Sequence, residues 1–108
     1  MIACIIEFSV REGRDARLRE VLAPLLAEVS GVPGFVSKET FDSRARPGRI
    51  LTVSYWETRD ALQQWMASAS HRHAIVEGKR DILADYAIRI AEVERAYHWP
   101  VNGAADRG

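Results

Sequence analysis

Residues 35–56 read FVSKETFDSRARPGRILTVSYW. Two runs rich in aromatic and β-branched side chains, Phe35 to Asp42 and Arg49 to Trp56, flank the segment Arg44-Ala45-Arg46-Pro47-Gly48. Adjacent Pro and Gly punctuate a chain as a turn, so the stretch reads as a β-hairpin. Helical signals lie on both sides of it. Upstream, Leu18, Val21, Leu22, Leu25, Leu26 and Val29 line up on one face of a helix predicted from about Asp15 to Ser30. Pro24 falls inside that helix and predicts a kink or a loosened turn. Gly31 and Pro33-Gly34 end it. Downstream, Thr58 is a candidate cap for a second helix, with Ala61, Leu62, Trp65, Met66 and Ala69 on one face. Ser70 is a candidate cap for a further helical stretch ending near Asp85, weakened in its middle by Gly78.

The outer parts of the chain supply two more strands. Ile2 to Val10 is rich in β-branched and aromatic residues, and Glu12-Gly13-Arg14 turns it toward the first helix. Tyr86 to Trp99 reads as a long last strand stopped by Pro100, with Val101 to Gly108 as a loose tail. The order is β-α-β-β-α-β, its second helical region broken in two. This is the α+β, ferredoxin-like arrangement: a four-stranded antiparallel sheet with helices on one face. One domain is expected over residues 1–99 and a C-terminal tail over 100–108.

Helices on one side leave the other side of the sheet bare, yet the strands are apolar on both faces. Ile2, Cys4, Ile6, Phe8 and Val10 alternate with Ala3 and Ile5, and Leu51, Val53 and Tyr55 with Ile50 and Trp56. In the last strand Ile88 and Ile90 give way to Val93, Tyr97 and Trp99. Two-faced apolarity demands a cover that no remaining residues supply. A second copy of the same sheet is the economical one, so a homodimer is expected.

Composition narrows the function classes. Apolar residues make up 47% and charged residues 28%, an ordinary globular balance. Net charge is zero, which gives no basic surplus to draw nucleic acid or an anionic membrane. The basic residues are 13 Arg and 2 Lys, beside 15 Ala, the usage of a GC-rich bacterial genome. Cys4 alone supports neither a disulfide framework nor a cysteine zinc site within one chain. Its apolar neighbours Ala3 and Ile5 suggest a buried, inert thiol. The run Ile2 to Ile6 is too short for a signal peptide, and Glu7 interrupts it, so the cytoplasm is the expected compartment.

The segment Ser54-Tyr55-Trp56-Glu57, followed by Ala61-Leu62, Trp65, His71 and Gly78, resembles the antibiotic biosynthesis monooxygenase (ABM) family of the dimeric α+β barrel superfamily. So do the closing run Arg89-Ile90-Ala91-Glu92-Val93-Glu94-Arg95-Ala96-Tyr97 and the corner Pro33-Gly34-Phe35. The resemblance covers roughly residues 1 to 99. It implies a homodimer whose two sheets pack into a barrel, and a ligand pocket in each subunit between sheet and helices. Heme-degrading members use a strand-one Asn, a helix Trp and a His further downstream. Matching without gaps puts Trp65 on their Trp, but Ile6 on their Asn and Ile75 on their His.

Several side chains are candidates for chemistry. Trp65 either walls an aromatic ligand or belongs to the core. His71 and His73 either act as a general base near neutral pH or are solvated helix residues. Trp56 ends a strand and is expected to pack under the helices. Tyr86 and Tyr97, at opposite ends of the last strand, could present a hydroxyl to a pocket or a dimer seam. Glu7, the one carboxylate of the first strand, is expected to pair with an Arg. On a helix, His71 and His73 point about 200° apart, a poor chelating pair, so no metal is expected. Glycine-rich phosphate loops, dinucleotide fingerprints and serine nucleophile elbows are absent from the sequence.

The resemblance implies cofactor-independent oxygenation of a small aromatic or polycyclic phenol, with no cofactor. The protein deprotonates the substrate and the resulting carbanion reacts directly with O2. His71 or His73 would be the base, Trp65, Trp56, Ile6 and Phe8 the apolar wall, and Tyr86 a hydrogen-bond donor to the developing oxyanion. Two other readings stay open: a non-enzymatic homodimeric binder of a small apolar ligand, and a heme-binding or heme-degrading protein. A binder needs no titratable group facing its ligand.

Overall fold

The computed structural model describes residues 1–99. The elements run β1 (Ile2–Val10), α1 (Asp15–Val29), β2 (Phe35–Asp42), β3 (Arg49–Trp56), α2 (Arg59–Ala67), α3 (Ala69–Glu77), a π-helical turn (Gly78–Ile82) and β4 (Leu83–Glu92). The strands form one antiparallel sheet in the order β2-β3-β1-β4. This is the ferredoxin-like α+β arrangement expected from the sequence. The tail predicted for residues 100–108 lies outside the described residues. No described helix is long and apolar enough to cross a membrane.

The alternating runs of the first three strands fold with the predicted bounds. Thr58 caps α2 as expected, its Oγ1 accepting the Ala61 N–H at 3.1 Å. α1 runs on through Pro24, which lacks the N–H for one i→i−4 bond and sits on the exposed side. The core gathers on the helix side of the sheet, where Ile2, Cys4, Trp56, Leu25, Val29, Leu62 and Trp65 are buried together.

The end of the chain departs from the sequence reading. The cap of α3 is Ser68, not Ser70: Ser68 is extended, and its Oγ accepts the His71 N–H at 3.3 Å. α3 gives way at Gly78 to the π-helical turn, and β4 starts at Leu83 rather than Tyr86. A π-helical turn leaves carbonyls without their usual partners. Arginines from the β1–α1 corner donate to them. Arg11 Nε reaches the Leu83 carbonyl at 3.0 Å, and Arg14 Nε reaches that of Asp81 at 3.1 Å. At its other end β4 stops at Glu92, the last residue paired with β1, through Ile2. Residues 93–99 carry no strand, and Tyr97 and Trp99 stand 80% and 73% exposed.

The helix-free face holds Ile5, Leu51, Val53, Tyr55 and Phe41 around a charged strip. Glu7 pairs with Arg89 at 2.6 Å, as expected for a carboxylate flanked by apolar residues, and Arg49 pairs with Asp85.

Gly34 sits at the corner between α1 and β2 with φ +88°, and its carbonyl accepts the Glu57 N–H at 2.8 Å. A Cβ added there would lie 2.6 Å from the Ala61 Cβ. Gly34→Ala is therefore expected to cost about 2 kcal/mol or more, adding a left-handed backbone penalty to a clash. Gly48 shares the positive φ (+86°) but has nothing within 4 Å of its added Cβ, so Gly48→Ala should cost only about 1 kcal/mol. Urea unfolding of both variants checks the difference, and equal losses would refute the packing argument.

Candidate active site

The space between sheet and helices holds a cavity of about 140 Å³. Its floor follows from strand register. Residues directly opposite in an antiparallel pair share a face, so the floor is laid in cross-strand rows. One row is Lys38, Ser54 and Cys4, and the next is Thr40, Thr52, Ile6 and Ile88. Phe8 and Tyr86 continue it toward the β4 edge. The roof comes from Leu22 and Leu25 of α1, Trp65 of α2, and His71 and Ile75 of α3.

Of the residues singled out from sequence, Ile6, Phe8, Trp56, Trp65, His71 and Tyr86 all line this one cavity. His73 does not: it lies on the exposed side of α3. Tyr97 lies outside the cavity as well.

The break at Ser68 sets the relation between Trp65 and His71. Because the chain turns there, the two rings meet edge to face, with centroids 5.5 Å apart at 61°. His71 Nδ1 is buried with no hydrogen-bond partner among the described residues. Burial holds the His71 pKa below its ordinary value, and the nearby Lys38 charge adds to that. The Met66 carbonyl acts in the opposite sense without bonding Nδ1. The result is an imidazole that stays neutral at physiological pH, with a free nitrogen lone pair or N–H. Burial also raises the Tyr86 pKa, so its phenol remains a donor, and Lys79 Nζ lies 5.6 Å from its ring centroid.

Trp56 is 1% exposed; its Nε1 donates to Ser54 Oγ at 3.0 Å and its ring meets Phe35 edge to face. It is a core residue and a cavity wall at once. Cys4 is buried, and burial pushes its thiol up, which keeps it protonated.

Polar residues absent from the sequence-based set also line the cavity: Lys38, Thr40, Thr52 and Ser54. The Thr40 and Thr52 hydroxyls are 3.4 Å apart. Their one sequence signal is that Thr52 and Ser54 alternate with Trp56, which marks their face as inward. Among the described residues no cluster of three His, Cys, Asp or Glu side chains offers a metal site.

The family model for antibiotic biosynthesis monooxygenases matches residues 1–77. A jasmonate monooxygenase of Pyricularia oryzae is 29% identical over 93 residues, which is 86% of this chain but 43% of that protein. The chain thus spans less than half the length of that relative. Among solved structures, a candidate antibiotic biosynthesis monooxygenase from Deinococcus radiodurans superposes with a TM-score of 0.82 at 20% identity, covering 94% of this chain and 100% of that one. SnoaB of Streptomyces nogalater, a cofactor-independent oxygenase, superposes with a TM-score of 0.72 at 17% identity, covering 88% and 94%. At such identities the superpositions speak for a shared fold. With most of its length matched by the family model, this chain belongs to the antibiotic biosynthesis monooxygenase family.

Proposed function

We propose that the chain is a cofactor-independent monooxygenase of a small phenol, working as a cytoplasmic homodimer. The observation that carries this reading is the His71 nitrogen, buried and unpartnered on the wall of an otherwise mostly apolar cavity. A buried polar atom left without a partner is costly, and its presence is explained if the ligand completes the bond. Neutral imidazole is also a suitable base for a phenolic proton near pH 7.

In this reading His71 takes the hydroxyl proton. The phenolate, with carbanion character at its ring carbon, transfers an electron to O2, and the radical pair combines to a hydroperoxide. Loss of water from that adduct leaves a quinone. One oxygen atom enters the ring, the other leaves as water, and the phenol supplies every electron. The residues supply position, a base and a water-poor environment. Cofactor-independent oxygenation by SnoaB and monooxygenation by the Pyricularia relative support the reaction class. The volume of about 140 Å³ suits one aromatic ring, since an engineered cavity of about 150 Å³ takes benzene; a polycycle requires the helices to part. Ile6 and Ile75, at the positions matched to the Asn and His of heme-degrading members, line the cavity as apolar groups, which favours a phenol over a heme.

An oxygen electrode run over single-ring and polycyclic phenols tests the reaction. Uptake matched by quinone formation is expected. Tight binding of phenols with no uptake by any of them favours the non-enzymatic binder instead.

The homodimer is supported by the apolar helix-free face, with Phe41 44% exposed, and by the exposed Tyr97 and Trp99. Sedimentation equilibrium is expected to give the dimer mass. A stable monomer at micromolar concentration would defeat it.

A further inference from the structure

We infer that Lys38 is an oxyanion-binding group, and that the ligand places an ionised phenolate oxygen at the β2 end of the cavity. The inference rests on the reading of the cavity as a phenol site and adds where the negative charge is held.

β2 carries a β-bulge near its start. Phe35 pairs with Trp56, and Ser37 with Tyr55, so Val36 is the extra residue. The bulge inverts the alternation of everything after it. Phe35 and Lys38, three residues apart, thereby share the cavity face, while Phe41 goes to the helix-free face. Without the bulge the aromatic residue would face inward and the lysine outward.

The bulge thus brings a cation into an apolar setting. Lys38 is half-buried, and it forms no ion pair or hydrogen bond among the described residues. Among the described residues no Asp or Glu lines the cavity. Of the carboxylates on its own hairpin and on β1, Glu39 and Glu7 lie on the helix-free face, Glu7 paired with Arg89, and Asp42, on the Lys38 face, is exposed two rows further along and does not line the cavity. The neighbours Lys38 does have are uncharged: Ser54 and the protonated Cys4 thiol in its row, Thr40 and Thr52 in the next, and the neutral His71 imidazole across the cavity. Even a half-buried charge without a counter-charge in the cavity is unfavourable, and an entering anion relieves it. Burial also holds the Lys38 pKa below its ordinary value, the mark of a cation that lacks a counter-ion. Placing the cation and the neutral base on one cavity divides the work: His71 accepts the proton and Lys38 holds the oxygen it leaves.

4-Nitrophenol tests this directly, because it is a single ring whose visible absorption reports its ionisation. An apolar pocket alone raises the pKa of a bound phenol, whereas an adjacent cation lowers it by about 1–3 pKa units. Wild-type protein is expected to bind 4-nitrophenol with its pKa lowered. Lys38→Met should still bind it, with the pKa at or above the free value. His71→Ala should keep the lowering. Binding with an unchanged or raised pKa in the wild type overturns the Lys38 assignment and leaves the phenol site standing. The same holds for a lowering that survives in Lys38→Met. Failure of the wild type to bind 4-nitrophenol or any other single-ring phenol overturns the phenol site and this inference with it.

Discussion

Replacing His71 with Ala is expected to lower phenol turnover by about 10²–10⁴-fold while leaving binding largely intact, because a positioned general base contributes about that much. His71 Nδ1 makes no hydrogen bond, and the backbone N–H of residue 71 that bonds Ser68 Oγ is kept in the variant. The imidazole's edge-to-face approach to Trp65 disappears, at a cost of about 0.5–1.5 kcal/mol. The pH dependence follows from burial. The His71 pKa in the folded protein lies below its ordinary value, so the base form persists below pH 6.5, the ordinary histidine value. Turnover should therefore hold through neutral pH and fall only as pH drops through that lowered value. Stability carries the same sign. The neutral imidazole is fully accommodated above about pH 6.5, and stability is lost as pH falls below it, because the unfolded chain binds the proton more readily. In His71→Ala that part of the acid sensitivity should disappear. Single-turnover kinetics and urea unfolding across pH 5–8 check both limbs. Unchanged turnover in His71→Ala would remove the residue from the chemistry.

Trp56→Ala is expected to destabilise the fold by about 3–5 kcal/mol, out of a total of about 5–15 kcal/mol for a domain of this kind. Trp56 is 1% exposed, packs edge to face on Phe35 with centroids 5.3 Å apart, and donates to Ser54 Oγ. Truncation opens a large cavity and leaves the Ser54 hydroxyl without that donor. A fall in Tm of at least about 10 °C should follow. Trp56→Phe keeps most of the volume and should lose much less. A Tm within about 2 °C of wild type for Trp56→Ala would mean that the residue is a replaceable cavity wall and not a core anchor.

The site residues were unequally legible before folding. Ile6, Phe8 and Trp56 fall on one side of their strands by simple alternation, and Trp65 shares a helix face with Leu62 and Met66; all four line the cavity. His71 and His73 look alike in sequence, being two apart on one helix. Packing separates them, since residues two apart on a helix point to different sides. Lys38 could not be found by alternation at all. Counting by twos from Phe35 sends it to the far face, and only the bulge at Val36 brings it in.

What the sequence by itself determined was which segments are strands and which are helices, and their order. Periods of two and of 3.6 are properties of the backbone, and a run of apolar side chains with either period folds locally to match. That is why β1, β2 and β3 begin and end where the residues predict. The tertiary structure alone decided how β4 begins and ends and what faces the cavity. The π-helical turn before β4 is held by Arg11 and Arg14, whose carbonyl partners lie 67 to 72 residues away. β4 ends at Glu92, opposite Ile2, with one further bond from the Val93 N–H to the Met1 carbonyl, and the inward turn of Lys38 follows from the register of β2 against β3. Each depends on hydrogen bonds between residues distant in the chain, and no local period carries that information.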